Sequence, residues 1–304
     1  MKIKLIKIMK ISEKFKGLGV ALITPMQENG SVDFAALARV VERVLEGGVD
    51  YLLALGTTSE VPTLTKDERV AVMRFIKERV AGRVPLMVGL GGNSTADVVK
   101  RLEEWDFTGY DAILSVNPYY NKPNQEGLYR HFMALAEVSP LPIVLYNIPG
   151  RTGVNMNPET VLRLASSSDK FIGIKEASGN VEQMGRICEM LPKDFILISG
   201  DDGLTVEAMR RGGVGVLSVL AHLYPAAVKS MVAKAAEGDF DGANAVLEPL
   251  QGVIGSLFEE GNPTGIKSAL SVKGVCRNSV RLPLAEASDA LRVKQEQLMC
   301  EYEK

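Results

Sequence analysis

The residue in this chain with the clearest chemical potential is a lysine closing an apolar run, Phe171-Ile172-Gly173-Ile174-Lys175. Read as a β-strand, the run alternates so that Gly173, Lys175 and Ala177 share one face, with no side chain on Gly173 to crowd the amine. An ammonium is costly to bury on an interior face. Holding an ordinary lysine neutral at pH 7 costs about 4.6 kcal/mol, part of which desolvation supplies. A neutral amine in a pocket attacks a carbonyl carbon and loses water to form an imine. Spacing alone weighs that chemistry evenly against a lysine that only pairs with a carboxylate, because structural ion pairs perturb pKa as well.

Other polar groups stand at the ends of further apolar runs. Tyr146 opens Tyr146-Asn147-Ile148-Pro149-Gly150-Arg151 and falls in the same interior layer. A phenol beside the amine relays protons while a carbinolamine forms and collapses; on spacing alone, a packed aromatic whose hydroxyl finds a partner is the plainer reading. Thr57 and Thr58 follow a strand-ending glycine in Gly56-Thr57-Thr58-Ser59-Glu60. Two hydroxyls with exposed amides suit a bound carboxylate, and simple turn chemistry gives the same pattern. Arg151 offers a planar fork for a carboxylate, or a loop salt bridge. Tyr119-Tyr120-Asn121 completes the set. With His131 and His222 the only histidines and no metal-ligand spacing among the cysteines and acids, no metal centre and no separate cofactor are expected.

Such groups need a scaffold, and the chain repeats one unit: a short Val/Ile/Leu-rich run, a loop, then a helical stretch. The strand candidates are Gly19–Thr24, Tyr51–Leu55, Pro85–Gly89, Ala112–Val116, Ile143–Asn147, Phe171–Lys175, Phe195–Ser199 and Gly215–Val219. They are nearly continuous apolar runs, as strands covered on both faces should be. Thr65-Lys66-Asp67-Glu68 has the pattern of a capping box, Asn157-Pro158 that of an N-cap before a first-turn proline, and Gly47-Gly48 and Gly212-Gly213 end helices. Eight units predict an α/β fold of the (β/α)8 TIM-barrel type, whose chemistry sits at the C-terminal ends of the strands. No Gly-x-Gly-x-x-Gly follows the first strand, which disfavours a dinucleotide-binding sheet. About three helical stretches follow the eighth strand, within Pro225–Gly252, Gly265–Val275 and Ala285–Tyr302. The expected organisation is an N-terminal arm over 1–16, the barrel over 17–237 and a small C-terminal helical subdomain over 238–304.

Composition narrows the classes further. The 304 residues carry a formal charge of −2 and no long basic run, so neither nucleic acid nor an anionic membrane is an expected partner. Cys188, Cys276 and Cys300 have neither CxxC spacing nor an even count, which fits a reducing cytoplasmic setting. The opening MKIKLIKIMK alternates lysine with apolar residues, unlike a signal peptide, and is expected to be a frayed arm preceding a truer start at Met9.

Together the segments resemble the dihydrodipicolinate synthase/N-acetylneuraminate lyase family of pyruvate-dependent class I aldolases. The landmarks in order are GTTSE (56–60), NPYYNKP (117–123), YNIPGRTG (146–153), GIKEASG (173–179), SGDD (199–202) and GVLSV (215–219), and the match runs from Gly19 to at least Pro283. The resemblance implies that Lys175 forms an imine with pyruvate and that Tyr146 donates and accepts the protons. It also implies a proton relay through Thr57, completed by Tyr120 from a neighbouring subunit, hence a homo-oligomer, commonly a tetramer built as a dimer of dimers. Thr58 would hold the pyruvate carboxylate, with Gly200 and Leu217 lining its site.

Arg151 after Tyr-Asn-Ile-Pro-Gly looks like the synthase branch, where this arginine binds the carboxylate of aspartate semialdehyde. The implied reaction condenses pyruvate with L-aspartate 4-semialdehyde to 4-hydroxy-tetrahydrodipicolinate, in diaminopimelate and lysine synthesis. A sialic acid or 2-keto-3-deoxy sugar acid lyase of the same family is the nearest alternative, and a non-catalytic barrel sensing pyruvate or lysine a more distant one. The chain departs from the family pattern at Ser59, where glycine is usual, and at Gly265, where a second proline is common. Asn93, Asp97 and Tyr119 match a lysine feedback site, but Lys66 and Arg69 stand where inhibited members often carry histidines. Added positive charge opposes a bound lysine ammonium, so weak or absent inhibition is expected.

Overall fold

The computed structural model describes residues 11–192 and 194–304. Eight parallel strands follow one another in chain order and close into a barrel: β1 (Gly17–Ala21), β2 (Tyr51–Ala54), β3 (Leu86–Gly89), β4 (Ala112–Val116), β5 (Ile143–Asn147), β6 (Phe171–Glu176), β7 (Ile196–Ser199) and β8 (Gly215–Ser218). Every residue of β2, β5, β6, β7 and β8 is buried. Coverage on both faces is why these segments are apolar throughout rather than alternating with polar residues. The TIM-barrel expectation holds, with β4 and β5 at their expected limits and an end of each other strand shifted by one to three residues.

Local signals position the intervening helices. The N-cap residues of α1 (Phe34–Glu46), α2 (Lys66–Val80), α3 (Thr95–Glu104) and α4 (Gln125–Val138) each accept a backbone N–H: Asp33, Thr65, Ser94 and Asn124. Thr65 and Glu68 form the full reciprocal capping box. At α5 (Pro158–Ser167) Asn157 holds the N-cap position before Pro158, but its side chain does not cap. Asn180 caps α6 (Val181–Met190); α7 (Thr205–Arg210) and α8 (Pro225–Ala236) complete the series. Beyond the barrel come α9 (Phe240–Leu247), α10 (Gln251–Phe258), α11 (Thr264–Val272) and α12 (Asp289–Tyr302). The stretch expected as one helix within Pro225–Gly252 is broken at Gly238, which has φ +84°, and again at the Glu248–Leu250 turn containing Pro249.

The chain divides into two compact units. The first comprises Pro85–Leu217 and the N-terminal residues up to Gly17. Of the expected arm, residues 1–10 lie outside the described ones; beyond them Ser12 and Phe15 are fully buried, and Gly17 N–H donates to the Val214 carbonyl. The second unit comprises Leu18–Val84 and Ser218–Lys304. The expected 237/238 boundary falls inside it, between α8 and α9, which pack together. There Gln295 of α12 donates to the Gly265 and Ser256 carbonyls, tying three helices together. Gly265 has a steric reason: a Cβ on it would fall 2.6 Å from the carbonyl carbon of Leu257, so only glycine lets α11 approach α10 this closely. Among the described residues no helix is long and apolar enough to cross a membrane.

Candidate active site

In the first unit, β5 and β6 pair so that Tyr146 is level with Lys175 and Asn147 with Glu176. Alternation then sorts the four side chains into Tyr146 and Lys175 on one face and Asn147 and Glu176 on the other. Lys175 is 6% exposed, and its amine lies over the Tyr146 ring, 4.4 Å from the centroid. No carboxylate pairs with Lys175 among the described residues, so the simple ion-pair alternative for this lysine is not what the fold builds. Tyr146 is the expected neighbour.

Gly200, after β7, makes room for the lysine stem. A Cβ there would lie 2.9 Å from Cε of Lys175 and 2.6 Å from Cβ of Ala177, and the Gly200 N–H donates to the Glu176 carbonyl at 2.8 Å. Lys175 is level with Ile198, and Ser199 with Val216, so alternation places Leu217, also buried, on the lysine's face.

On the opposite face a network fixes the strand tips. Asn147 donates to a Glu176 carboxylate oxygen at 2.9 Å and accepts from Asn117 at 3.0 Å. The Ser178 N–H and Gln183 also donate to Glu176. Burial pushes the Glu176 carboxyl above the usual range, and these hydrogen bonds oppose that rise. Sequence reasoning left Asn147 and Glu176 without a role. Their signal was present in the alternation that singled out Tyr146 and Lys175, one residue out of step.

Two more expected residues of this unit are solvent-facing. Arg151 is exposed in the single helical turn Pro149–Thr152 that follows β5. Tyr120 is 83% exposed and has φ +77°, a left-handed conformation that is strained for an aromatic residue.

The second unit holds Thr57 and Thr58 in a 3-10 turn, Thr57–Ser59, bracketed by Leu55 (φ +54°) and Glu60 (φ +55°). Left-handed non-glycine residues persist where surrounding contacts over-determine them, and they cluster at functional sites. Here the contacts are plain. The Ser59 hydroxyl donates to the Leu22 carbonyl at 2.5 Å, so serine replaces the usual glycine with an added tether. Asn262 Nδ2 donates to Thr58 Oγ1 at 3.1 Å. Glu60, fully buried on its side chain, pairs with the equally buried Lys267 and accepts from the Arg281 N–H at 2.9 Å. Lys267 also donates to the Ser279 carbonyl. Burial pushes the Lys267 ammonium below its ordinary value, and Glu60 opposes that shift. Sequence reasoning missed Asn262, Lys267 and this role of Glu60.

Comparison with known proteins agrees with the geometry. The model of the dihydrodipicolinate synthetase family matches residues 14–301. The chain is 50% identical over 269 residues to the 4-hydroxy-tetrahydrodipicolinate synthase of Parabacteroides distasonis, covering 88% of this chain and 91% of that one. A solved monomeric dihydrodipicolinate synthase variant superposes with a TM-score of 0.93 at 38% identity, over 96% of this chain and 98% of that one. The chloride-inhibited dihydrodipicolinate synthase of Acinetobacter baumannii, complexed with pyruvate, superposes with a TM-score of 0.92 at 36% identity, over 95% and 99% of the two chains. On this evidence, the chain belongs to the dihydrodipicolinate synthetase family.

Proposed function

We propose that the chain is a class I lyase that condenses pyruvate with L-aspartate 4-semialdehyde to give 4-hydroxy-tetrahydrodipicolinate, the reaction named for its half-identical relative. The observation that carries this reading is Lys175, buried without a carboxylate partner among the described residues and lying over the Tyr146 ring. In its neutral form the amine attacks the ketone carbon of pyruvate, and the carbinolamine loses water to leave an imine. The imine withdraws electrons, so the pyruvate methyl gives up a proton and becomes an enamine carbon. That carbon attacks the aldehyde of the second substrate, and the product's own amino group then displaces Lys175 as the ring closes.

Tyr146 is the proton donor and acceptor for these steps. Thr57 and a neighbouring subunit's Tyr120 complete the relay, Thr58 binds the pyruvate carboxylate, Gly200 and Leu217 line its site, and Arg151 takes the carboxylate of the semialdehyde. An aromatic ring held outward at Tyr120 supports a homo-oligomer, taken to be a tetramer. Three free cysteines suit the reducing cytoplasm. The deciding assay offers pyruvate with aspartate semialdehyde, beside cleavage assays on sialic acid and 2-keto-3-deoxy sugar acids. Turnover confined to the first is expected; turnover confined to a sugar acid overturns the second-substrate assignment. In the same assay millimolar lysine leaves the rate nearly unchanged, because Lys66 and Arg69 add positive charge. Half-inhibition by micromolar lysine contradicts that expectation.

A further inference from the structure

The turn carrying Thr58 is tethered independently of Thr58 itself, through Ser59 to Leu22 and through Glu60 to Lys267 and Arg281. Asn262 reaches the hydroxyl itself, donating from Nδ2 to Oγ1 within a buried setting where Thr58 is 2% and Asn262 8% exposed. A hydroxyl has one proton and two acceptor positions. When an amide N–H occupies one acceptor position, the hydroxyl proton must point elsewhere. Among the described residues Thr58 gives that proton to no acceptor, so the hydroxyl is left as a directed donor.

We propose that Asn262 is a positioning residue that turns the Thr58 hydroxyl proton toward the pyruvate carboxylate. This rests on the reading of Thr58 given above and extends it to a residue far along the chain. An amide that accepted from Thr58 would take the proton away from the substrate. An amide that donates makes Thr58 a better donor, because hydrogen bonds in a chain polarise one another. A carboxylate at 262 would reverse the arrangement: it accepts the hydroxyl proton and sets a negative charge close to the substrate's own.

The test is a double-mutant cycle in the intact enzyme with Asn262→Asp and Thr58→Val, measuring the pyruvate KM, the semialdehyde KM, kcat and the melting temperature. Asn262→Asp preserves side-chain size and is expected to raise the pyruvate KM about tenfold or more, the scale of a lost bond to a charged group, with the semialdehyde KM nearly unchanged. In the Thr58→Val background the further effect disappears. Asn262→Ala, which removes the donor and adds no charge, raises the pyruvate KM in the same direction. A lower kcat or melting temperature without a raised pyruvate KM in either Asn262 variant overturns the proposal, as does an Asn262→Asp effect that persists in full without the Thr58 hydroxyl. If Thr58→Val itself leaves the pyruvate KM unaltered, the carboxylate role of Thr58 falls and the proposal falls with it. If Thr58→Val raises the pyruvate KM and Asn262→Asp does not, the proposal alone fails.

Discussion

Lys267 and Lys175 are both buried, at 0% and 6% exposure, yet their surroundings differ. Lys267 faces the Glu60 carboxylate and the Ser279 carbonyl, which satisfy its charge and its protons. Lys175 faces an aromatic ring, with its nearest chain neighbour Glu176 turned to the other side of the strand and engaged by Asn147, Ser178 and Gln183. The first arrangement makes a lysine inert as a nucleophile, because the paired ammonium has no free electron pair. The second leaves the amine without a paired carboxylate among the described residues, as the proposed nucleophile requires. Burial alone therefore says little about what a lysine does; the two differ in whether a carboxylate compensates the charge.

Removing each amine in turn separates the two lysines. Lys175→Ala is expected to lower kcat/KM by about a thousandfold or more with little change in melting temperature, because only the proposed nucleophile is lost. A variant retaining more than a tenth of the activity contradicts the assignment. Lys267→Met strands the Glu60 charge and is expected to cost about 3–5 kcal/mol of stability, read from denaturant unfolding, whereas Lys267→Met combined with Glu60→Leu recovers much of it. Loss of activity in Lys267→Met at unchanged stability would erase the distinction between the two lysines.

A smaller effect concerns His222, fully buried in the second unit. Its Nδ1 donates to the Val219 carbonyl while its Nε2 accepts from the Ile23 N–H, so the ring is held neutral with both nitrogens satisfied. Burial lowers its pKa from 6.5 to about 4. The unfolded chain therefore takes up this proton first, and the stability His222 contributes is fully present above pH 6.5 and lost as pH falls toward 4. The loss amounts to roughly 3 kcal/mol. His222→Gln is expected to flatten the stability profile over that window, as measured by denaturant unfolding at each pH; an unchanged slope contradicts it.

These cases also show what is readable from one chain. Strand period put Lys175 and Tyr146 in the same layer because alternation is local and β5 and β6 are neighbours in sequence. Capping residues such as Thr65 and Asn180 announce helix starts for the same reason, and Asp239, whose side chain accepts from Gly242, marks a start in the stretch expected to be one helix. The Glu60–Lys267 pair joins residues 207 apart, and Asn262 reaches Thr58 across 204. Neither partner carries a periodic or spacing signal pointing to the other, so only the fold exposes them. Gly265 is similar: its departure from the family pattern is visible in the sequence, but its cause, the Leu257 backbone, is not.

The most direct test treats the protein with pyruvate and borohydride and maps the reduced adduct by mass analysis of its peptides. One adduct is expected, on the peptide bearing Lys175, with Lys267 unmodified. No adduct, or an adduct confined to another lysine, would contradict it.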